Sequence, residues 1–367
     1  MSRSLTIAVD GTHLPRDQRG AGRILRNVLK ALRARTSVLA HRVVLMTRER
    51  HQLAGIQDEL GWDFECSWAG SGLRSDVAFF PFGRMDWDPR CPRVLLVHDT
   101  SCLADEPGRE ADRERLARAV KAAHHVVTVS EFARRELVSG LNLPIGKVDV
   151  VHPAADPGFS PAGHDPRERV ALLEDVTGGI PYLLYVGSTE PRKDLAGLLD
   201  AFTWLSGQIP HRLVLVCRKP RLSLTQRLIG RVCPITERVR ALGNRVVFLG
   251  EIEQERLIGL YRHADLFVCP SLYESFAMPL LEALACASPV AAARSSSLPE
   301  IGGQAAVWFT PGEPVQMAQS ILEALAGAEE LRQAGPPQAV RFSWERSAQR
   351  LLTILEQKSG RRSLQTA

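Results

Sequence analysis

Pro270-Ser-Leu-Tyr-Glu-Ser-Phe-Ala-Met-Pro-Leu-Leu-Glu282 is the segment of this 367-residue chain that says most about its fold and chemistry. It follows the short apolar run Leu266–Val268, which predicts a buried strand. Pro279 suits the first turn of a helix, where a missing N–H costs nothing. We therefore expect Glu274 in the loop at the carboxyl end of a strand, and Glu282 early in the helix that follows.

These two carboxylates, with seven residues between them, can reach two parts of one ligand. A carboxylate accepts two hydrogen bonds and so suits a vicinal diol such as that of a ribose or a pyranose. The free amides of the helix start, at Ser275, Phe276, Ala277 and Met278, suit phosphates lying between two sugars. On spacing alone, however, ordinary helix-terminus charges are the better explanation of two such glutamates.

A second segment, Tyr182-Leu-Leu-Tyr-Val-Gly-Ser-Thr-Glu-Pro-Arg-Lys-Asp-Leu195, also predicts a strand, a turn and an amphipathic helix. Arg192 and Lys193 are expected at the N-terminus of that helix, where the macrodipole disfavours cations. An anion held between the amides and these two side chains would remove the conflict. The alternative is a solvated pair partly satisfied by Glu190 and Asp194, since exposed ion pairs are common.

Short apolar runs alternate with amphipathic segments through the whole chain, which is typical of α/β domains with parallel sheets. The predicted strands are Leu5–Val9, Arg42–Met46, Val77–Phe80, Val94–Val97, His125–Val129, Tyr182–Val186, Arg212–Cys217, Arg245–Leu249 and Leu266–Val268. The predicted helices are Gly22–Arg35, Arg109–Ala123, Leu195–Leu205, Gln254–Arg262, Pro279–Ala287 and Trp344–Gln357. Val151–Gly179, between the two series, is expected to be an interdomain linker. Two successive α/β domains make a ligand cleft between them the natural expectation.

Composition excludes several classes of protein. A hydrophobic content of 45% and a charged content of 24% are ordinary for a folded protein. The net charge of +5 is mild, whereas nucleic-acid binding usually shows a stronger, clustered excess, so we expect no nucleic-acid partner. Seven scattered cysteines without a C-x-x-C pair indicate a reducing cytoplasm rather than a zinc site. We expect no secretory signal, and the least polar run, Pro279–Ala293, is too short to cross a membrane.

The stretch around the two glutamates resembles the E-x7-E region of retaining glycosyltransferases of family 4, which have the GT-B fold. The neighbouring motifs that look like that family are Val247-Phe-Leu-Gly250, Leu260-Tyr-Arg-His-Ala-Asp265, Val268-Cys-Pro-Ser-Leu-Tyr-Glu274, Leu281-Glu-Ala-Leu-Ala-Cys286, Pro289-Val290 and Ser297-Leu-Pro-Glu300. Weaker matches in the first half are Arg19-Gly-Ala-Gly-Arg23, Val97-His98-Asp99, Val129-Ser130-Glu131-Phe132 and Val151-His152-Pro153. The resemblance covers about Asp10 to Trp344, nearly the whole chain.

The resemblance implies an α/β fold with two Rossmann-like domains facing each other across a cleft. Residues 1–165 would form the acceptor domain and residues 166–345 the nucleotide-sugar donor domain. A C-terminal helix over residues 346–367 would pack back on the N-terminal domain. The acceptor would bind mainly to the first of these domains.

The resemblance also implies roles for individual residues. Glu274 would bind the donor sugar's hydroxyls near the reacting carbon, and His98 would contact that sugar from the opposite domain. Glu282 would hold the ribose, while Arg192 and Lys193 would stabilise the departing diphosphate. The other expected donor-binding residues are Gly20, Gly22, Gly187, Arg218, Ser275, Phe276, Ala277 and Met278. No cofactor and no obligatory metal are expected.

Several positions depart from the family's pattern. Ala277 and Ala287 stand where glycine is usual, Cys217-Arg218 replaces a Gly-Lys pair, and Thr310 occupies a common aspartate position. Asp86-Trp-Asp88 has the D-x-D spacing of a metal-diphosphate site, but it lies among turn residues, and we interpret it as a loop. His124-His125 is interpreted as a buried junction between helix and strand.

The predicted reaction transfers a hexosyl group from a nucleoside-diphosphate sugar, GDP-mannose as first choice, to a saccharide or lipid-linked acceptor. The product would serve cell-surface polysaccharide or glycoconjugate assembly. A UDP-sugar transferase acting on a small-molecule or natural-product acceptor is one alternative. A non-catalytic nucleotide-sugar-binding protein is another, and other GT-B enzymes such as phosphorylases and epimerases are less favoured. The basic amphipathic segment Arg23–Arg35 suggests peripheral contact with the inner face of a membrane, against the commoner case of a helix packed on its sheet.

Overall fold

A computed structural model describes residues 4–14, 21–39, 41–48, 51, 54, 65–68, 71–104, 108–161, 166–219 and 233–359. The chain divides into two units, the first formed by Met1–Pro153 with Phe342–Ala367 and the second by Ala154–Arg341. The first boundary therefore precedes the expected one at residue 165 by twelve residues. The reason is that Arg262, in the second unit, donates hydrogen bonds to the carbonyls of Gly158 and Ser160.

The first unit is built on a seven-stranded parallel sheet in the order β3-β2-β1-β4-β5-β6-β7. Its strands are β1 Thr6–Asp10, β2 Arg42–Thr47, β3 Glu65–Trp68, β4 Val77–Phe80, β5 Arg93–Val97, β6 His125–Thr128 and β7 Val148–Val150. Its first three helices are α1 Ala21–Leu39, α2 Glu110–Ala122 and α3 Glu131–Gly140. All four residues of β4 and of β6 are buried, as expected for strands covered on both faces.

The second unit repeats this plan with a six-stranded parallel sheet in the order β10-β9-β8-β11-β12-β13. Its strands are β8 Tyr182–Val186, β9 Arg212–Val216, β10 Val246–Phe248, β11 Leu266–Cys269, β12 Val290–Ala293 and β13 Val307–Phe309. Its helices are α4 Pro166–Thr177, α5 Leu195–Trp204, α6 Pro234–Leu242, α7 Gln254–His263, α8 Met278–Ala285, α9 Leu298–Gly302, α10 Pro314–Ala326 and α11 Ala328–Ala339.

The chain then returns to the first unit as α12, Trp344–Lys358. Ser343 caps this helix by accepting a hydrogen bond from the Arg346 amide. The helix is tied to the first sheet by two side-chain contacts. Arg350 donates to Asp149 on β7 at 2.6 Å, and Glu356 lies 2.9 Å from Nε2 of His41, beside β2. The expected C-terminal segment, residues 346–367, is described only as far as Ser359; its helix begins at Trp344 and is grouped with the first unit.

The expected interdomain linker over Val151–Gly179 is not a plain connection in its second half, because Pro166–Thr177 forms α4. The helix is fixed by tertiary contacts that its weak apolar pattern does not reveal. Arg169 donates to the carbonyl of His263 at 3.1 Å and to Asp265 at 2.7 Å. None of the described helices is both long enough and apolar enough to cross a membrane.

Candidate active site

The two segments singled out in the sequence lie at the point where strand order reverses in the second sheet. β8 and β11 are neighbours there, and chain segments leave them in opposite directions along the sheet. Loops at the carboxyl ends of such strands form the ligand crevice of open parallel sheets. The two loops are joined directly, since the Leu272 amide donates to the Arg192 carbonyl at 2.8 Å. Arg192 also donates to the Tyr273 carbonyl at 3.4 Å.

Glu274 is the centre of the charged cluster between these loops. Its Oε1 accepts from Lys193 Nζ at 2.5 Å and from Ser271 Oγ at 2.9 Å, while its Oε2 lies 3.7 Å from Arg192. The side chains of Lys193, Arg192 and Glu274 are only 13%, 17% and 9% exposed. Two cations and a carboxylate thus share one poorly solvated site, where electrostatic interactions are stronger than in water.

The alternative of a solvated ion pair describes only part of this arrangement. Arg192 Nε does contact Glu190 at 2.7 Å, but Lys193 turns to Glu274 instead. Asp194 pairs with neither cation. It lies in the left-handed region at φ 47° and caps α5 by accepting from the Gly197 amide at 3.1 Å. The sequence 191–193 forms one 3-10 turn before that cap, which aims both cations at the β11 loop.

Three serines that follow β12 hold the Glu274 loop in place. Ser295 Oγ donates to the Ser271 carbonyl at 2.6 Å, and the Glu274 amide donates to Ser296 Oγ at 2.8 Å. The Ser297 amide donates to the Glu274 carbonyl at 3.3 Å. Sequence reasoning missed the positioning role of Ser295 and Ser296, although the run of three serines beside the Leu298-Pro-Glu motif was a usable signal.

Glu282 lies in α8, 3% exposed, and accepts a hydrogen bond from the Tyr261 hydroxyl at 3.2 Å. Burial and the neighbouring Glu282 carboxylate raise the pKa of Tyr261 well above its ordinary value, so this phenol stays a donor. Ser275 and Phe276 are buried just before the helix, and Met278 is half-buried in its first turn.

Ala277 occupies the N-cap of α8 with φ 60°, and Ala287 has φ 58°. Both therefore adopt the left-handed conformation that glycine tolerates best, which explains why glycine is usual there in the family it resembles. This chain keeps the methyl groups at a conformational cost of about 1–2 kcal/mol each.

Glycine is required at position 187 because of the Tyr185 side chain: an added Cβ would lie 2.8 Å from the Tyr185 hydroxyl oxygen. That hydroxyl donates to the Ser188 carbonyl at 2.6 Å and fixes the start of the β8 loop. Arg218, expected to contact donor phosphate, has an 80% exposed side chain that pairs with Glu251 at 2.6 Å. The Arg218 guanidinium therefore pairs with Glu251, whereas Arg192 and Lys193 both contact Glu274.

His98 and Gly22, the two expected residues of the first unit that the structure describes, lie near the carboxyl edge of its sheet. His98 directly follows β5 and is half-buried. Gly22 lies in the first turn of α1, which begins at Ala21, and Gly20 falls outside the described residues.

A cluster in the first unit was missed by sequence reasoning. Asp10, at the end of β1, is fully buried, and its Oδ1 accepts from the Thr12 amide and hydroxyl at 3.0 and 2.6 Å. Burial raises the pKa of this carboxyl above its ordinary value. Close by, Asp86 lies 2.5 Å from His13 Nε2 and 3.1 Å from Arg48.

Asp86-Trp-Asp88 lies outside the helices and strands, as its interpretation as a loop predicts. Within the described ranges, no group of three or more histidine, cysteine, aspartate or glutamate side chains is placed to hold a metal ion. His125, on β6, is 1% exposed and contacts Asp149 at 2.9 Å, as expected for a buried junction. His124 is exposed, so the interpretation of the pair as buried is wrong for this residue, which lies just before β6 and accepts from the Arg93 amide at 3.2 Å.

The apolar side of α1 faces the protein. Leu25, Val28, Leu29 and Leu32 are each at most 4% exposed, whereas Lys30 and Arg33 are exposed. This is the arrangement of a helix packed on its sheet with a solvated basic face.

Comparison with known proteins gives a consistent result. The family model described as glycosyl transferases group 1 matches residues 180–327. An O-antigen chain mannosyltransferase B of Escherichia coli is 30% identical over 264 residues, which cover 69% of this chain and 67% of that protein. The serotype-specific mannosyltransferase WbdA of Escherichia coli is 25% identical over 276 residues, 73% of this chain but only 33% of that longer protein.

Solved structures share the fold. The Anabaena protein Alr3699/HepE, in complex with UDP-glucose, matches 96% of this chain and 100% of its own chain with a TM-score of 0.74 at 16% identity. The expected class, an α/β protein with two Rossmann-like domains, is confirmed by the two parallel sheets and this neighbour.

Proposed function

The chain belongs to the glycosyl transferases of group 1, and we propose that it transfers a mannosyl group from GDP-mannose to a saccharide hydroxyl. The proposed transfer retains the anomeric configuration, needs no obligatory metal and serves the assembly of cell-surface polysaccharide. The observation that carries the proposal is the contact of Arg192 and Lys193 with Glu274, in loops adjacent to the helix that holds Glu282.

The leaving group of this reaction is a diphosphate, and its developing negative charge must be stabilised. Arg192 and Lys193 supply two poorly exposed cations at the start of α5. Both contact Glu274, so a bound diphosphate would compete with that carboxylate for them. Two side-chain cations can do the electrostatic work that a divalent metal does in other transferases, which is why we propose metal independence.

The remaining roles follow from the positions of the side chains. Glu274, held by Ser296 through its amide, would bind hydroxyls of the donor sugar and stabilise positive charge at the anomeric carbon. Glu282, oriented by Tyr261, would accept from the ribose. His98, in the first unit, would bind the donor sugar. The backbone at Gly22, Gly187 and residues 275–278 would contact the phosphates.

The choice of mannose is supported by the two relatives described above, both of which are mannosyltransferases. We place the protein in the cytoplasm, in keeping with its seven free cysteines. Peripheral contact with the inner face of the membrane would use the basic face of α1, through Lys30 and Arg33, rather than its buried apolar side.

The test combines binding with transfer. Thermal shift with GDP, UDP, ADP and TDP should show stabilisation by GDP, and the shift should disappear in Arg192→Ala and Glu282→Ala. Mass spectrometry should then detect a hexose added to a mannose-terminated oligosaccharide, with NMR reporting the anomeric configuration and EDTA leaving the rate unchanged. Stabilisation by UDP alone would show that the donor is a UDP-sugar and not GDP-mannose. Donor binding without transfer or hydrolysis would make the chain a binding protein instead.

A further inference from the structure

A cavity of about 220 Å³ opens at the carboxyl edge of the first sheet. It lies between the loops that follow β4 and β5 and the first turns of α2. This volume is below the roughly 300–1,000 Å³ of pockets for drug-sized ligands, so it suits a ligand of single-ring size. The polar and aromatic residues at its rim are Phe82, Arg84, His98, Asp99, Asp112 and Arg115.

The chemistry of this cavity matches one face of a pyranose. Val97, Cys102 and Leu116 provide apolar surface, and Phe82 adds an aromatic ring. That ring is held by an edge contact with His13 at a centroid distance of 5.4 Å, and His13 is in turn fixed by Asp86. A sugar ring presents apolar C–H surface on its faces and hydroxyls around its edge, so a mixed wall of this kind suits it better than it suits a purely apolar ligand.

The charges at the rim decide between a neutral and an anionic sugar. Both guanidiniums already face a carboxylate, Arg115 at 3.4 Å from Asp112 and Arg84 at 3.5 Å from Asp86. Asp112 also faces Arg109 Nε at 3.4 Å. A phosphate group would require cations that are not yet neutralised.

The N-terminus of α2 is equally unsuited to an anion. Its first turn contains Glu110 and Asp112, whose negative charges already complement the exposed amides of the helix start. A phosphate placed there would meet two like charges.

We propose that this cavity binds an uncharged sugar ring of the acceptor, and that Asp112 excludes phosphorylated acceptors by neutralising Arg115 and Arg109. This inference rests on the proposed transferase function and adds to it the class of acceptor. Asp112 acts here as a specificity-determining residue through the guanidiniums it pairs with.

The experiment compares two acceptors with the full-length chain, mannobiose and mannobiose 6-phosphate. The wild type should use the neutral disaccharide with a kcat/KM at least about tenfold higher. Asp112→Asn should raise the relative use of the phosphorylated disaccharide about two- to threefold, a modest change because Arg115 and Asp112 are 68% and 47% exposed and solvent weakens their pair. Adding Arg115→Ala to Asp112→Asn should reverse most of that gain.

Glu114→Gln is the matched control, since it removes the same charge from an exposed position of the same helix and should leave the ratio unchanged. Hydrolysis of the donor without acceptor reports that each variant is folded and binds donor. Equal ratios in Asp112→Asn and Glu114→Gln, or a wild type that prefers the phosphorylated disaccharide, would overturn this inference alone. The same holds for a chain that hydrolyses donor but uses neither disaccharide. Absence of both transfer and donor hydrolysis would instead refute the proposed transferase function.

Discussion

Replacing Glu274 by glutamine should tighten the binding of free GDP while nearly abolishing sugar transfer. This carboxylate accepts from Lys193 at 2.5 Å and lies 3.7 Å from Arg192. A bound diphosphate must share or displace it to gain the two cations. Glutamine keeps the size and one hydrogen-bond acceptor but removes the competing charge.

The magnitude follows from the burial of the cluster. Exposed ion pairs contribute about 0–1 kcal/mol, and removing one partner of a buried pair costs about 3–5 kcal/mol. With side chains 9–17% exposed, we expect the lost competition to be about 1–1.5 kcal/mol. That corresponds to roughly a five- to thirteenfold lower Kd for GDP. Loss of a charge that acts in the transition state should lower kcat by about 10²–10³.

Calorimetric titration with GDP and with UDP measures the first quantity, and mass-spectrometric transfer assays measure the second. Glu190→Gln is the control, because Glu190 pairs with Arg192 at 2.7 Å but is 54% exposed. It should change the Kd less than twofold and leave transfer nearly intact. Weaker diphosphate binding by Glu274→Gln than by the wild type would refute the reasoning, since the carboxylate would then assist the phosphates rather than compete with them.

Three further substitutions test separate contacts. Gly187→Ala should cost about 1–3 kcal/mol in denaturant unfolding, because the new Cβ would lie 2.8 Å from the Tyr185 hydroxyl oxygen; an unchanged midpoint contradicts this. Ser296→Ala removes the acceptor of the Glu274 amide and should lower kcat with little change in the Kd for GDP, whereas equal losses in both would point to general misfolding. The pKa of Asp10 is higher in the folded than in the unfolded protein, so its ionisation destabilises the wild type as pH rises above about 4. Asp10→Asn cannot ionise and should therefore gain stability relative to the wild type over that range. A stability difference that is independent of pH between 4 and 7 would show that Asp10 is not desolvated.

Much of the secondary structure of the second unit is predictable from sequence, because its apolar runs and helix-start residues follow one another in the order of a strand, a loop and a helix. The apolar run 182–186 forms β8 with the expected bounds, and Pro279 lies in the first turn of α8 as expected. The contact between Lys193 and Glu274 joins residues 81 positions apart, and only the pairing of β8 with β11 brings them together. The sequence patterns could therefore indicate the segments around Lys193 and Glu274 separately, but not the contact between them.

Other features could not be predicted because tertiary contacts override weak local patterns. Pro336 and Pro337 lie inside α11, where sequence rules favour a helix end. Gly335 lets that helix approach the Leu284 carbonyl of α8, since an added Cβ would be only 2.9 Å from its oxygen. In the first unit, the partner of Asp86 is His13, 73 residues earlier, and nothing near either residue in the sequence indicates the pair.

The return of α12 to the first unit has a consequence for biosynthesis. The second unit is one uninterrupted stretch of chain, while the first is completed only by a helix that follows it. On the ribosome, residues 154–341 can therefore finish folding before the earlier-made half has received the partners of Asp149 and His41. The first unit, although synthesised first, can receive its last helix only after the second unit has been made, and until then the surface that α12 covers stays exposed.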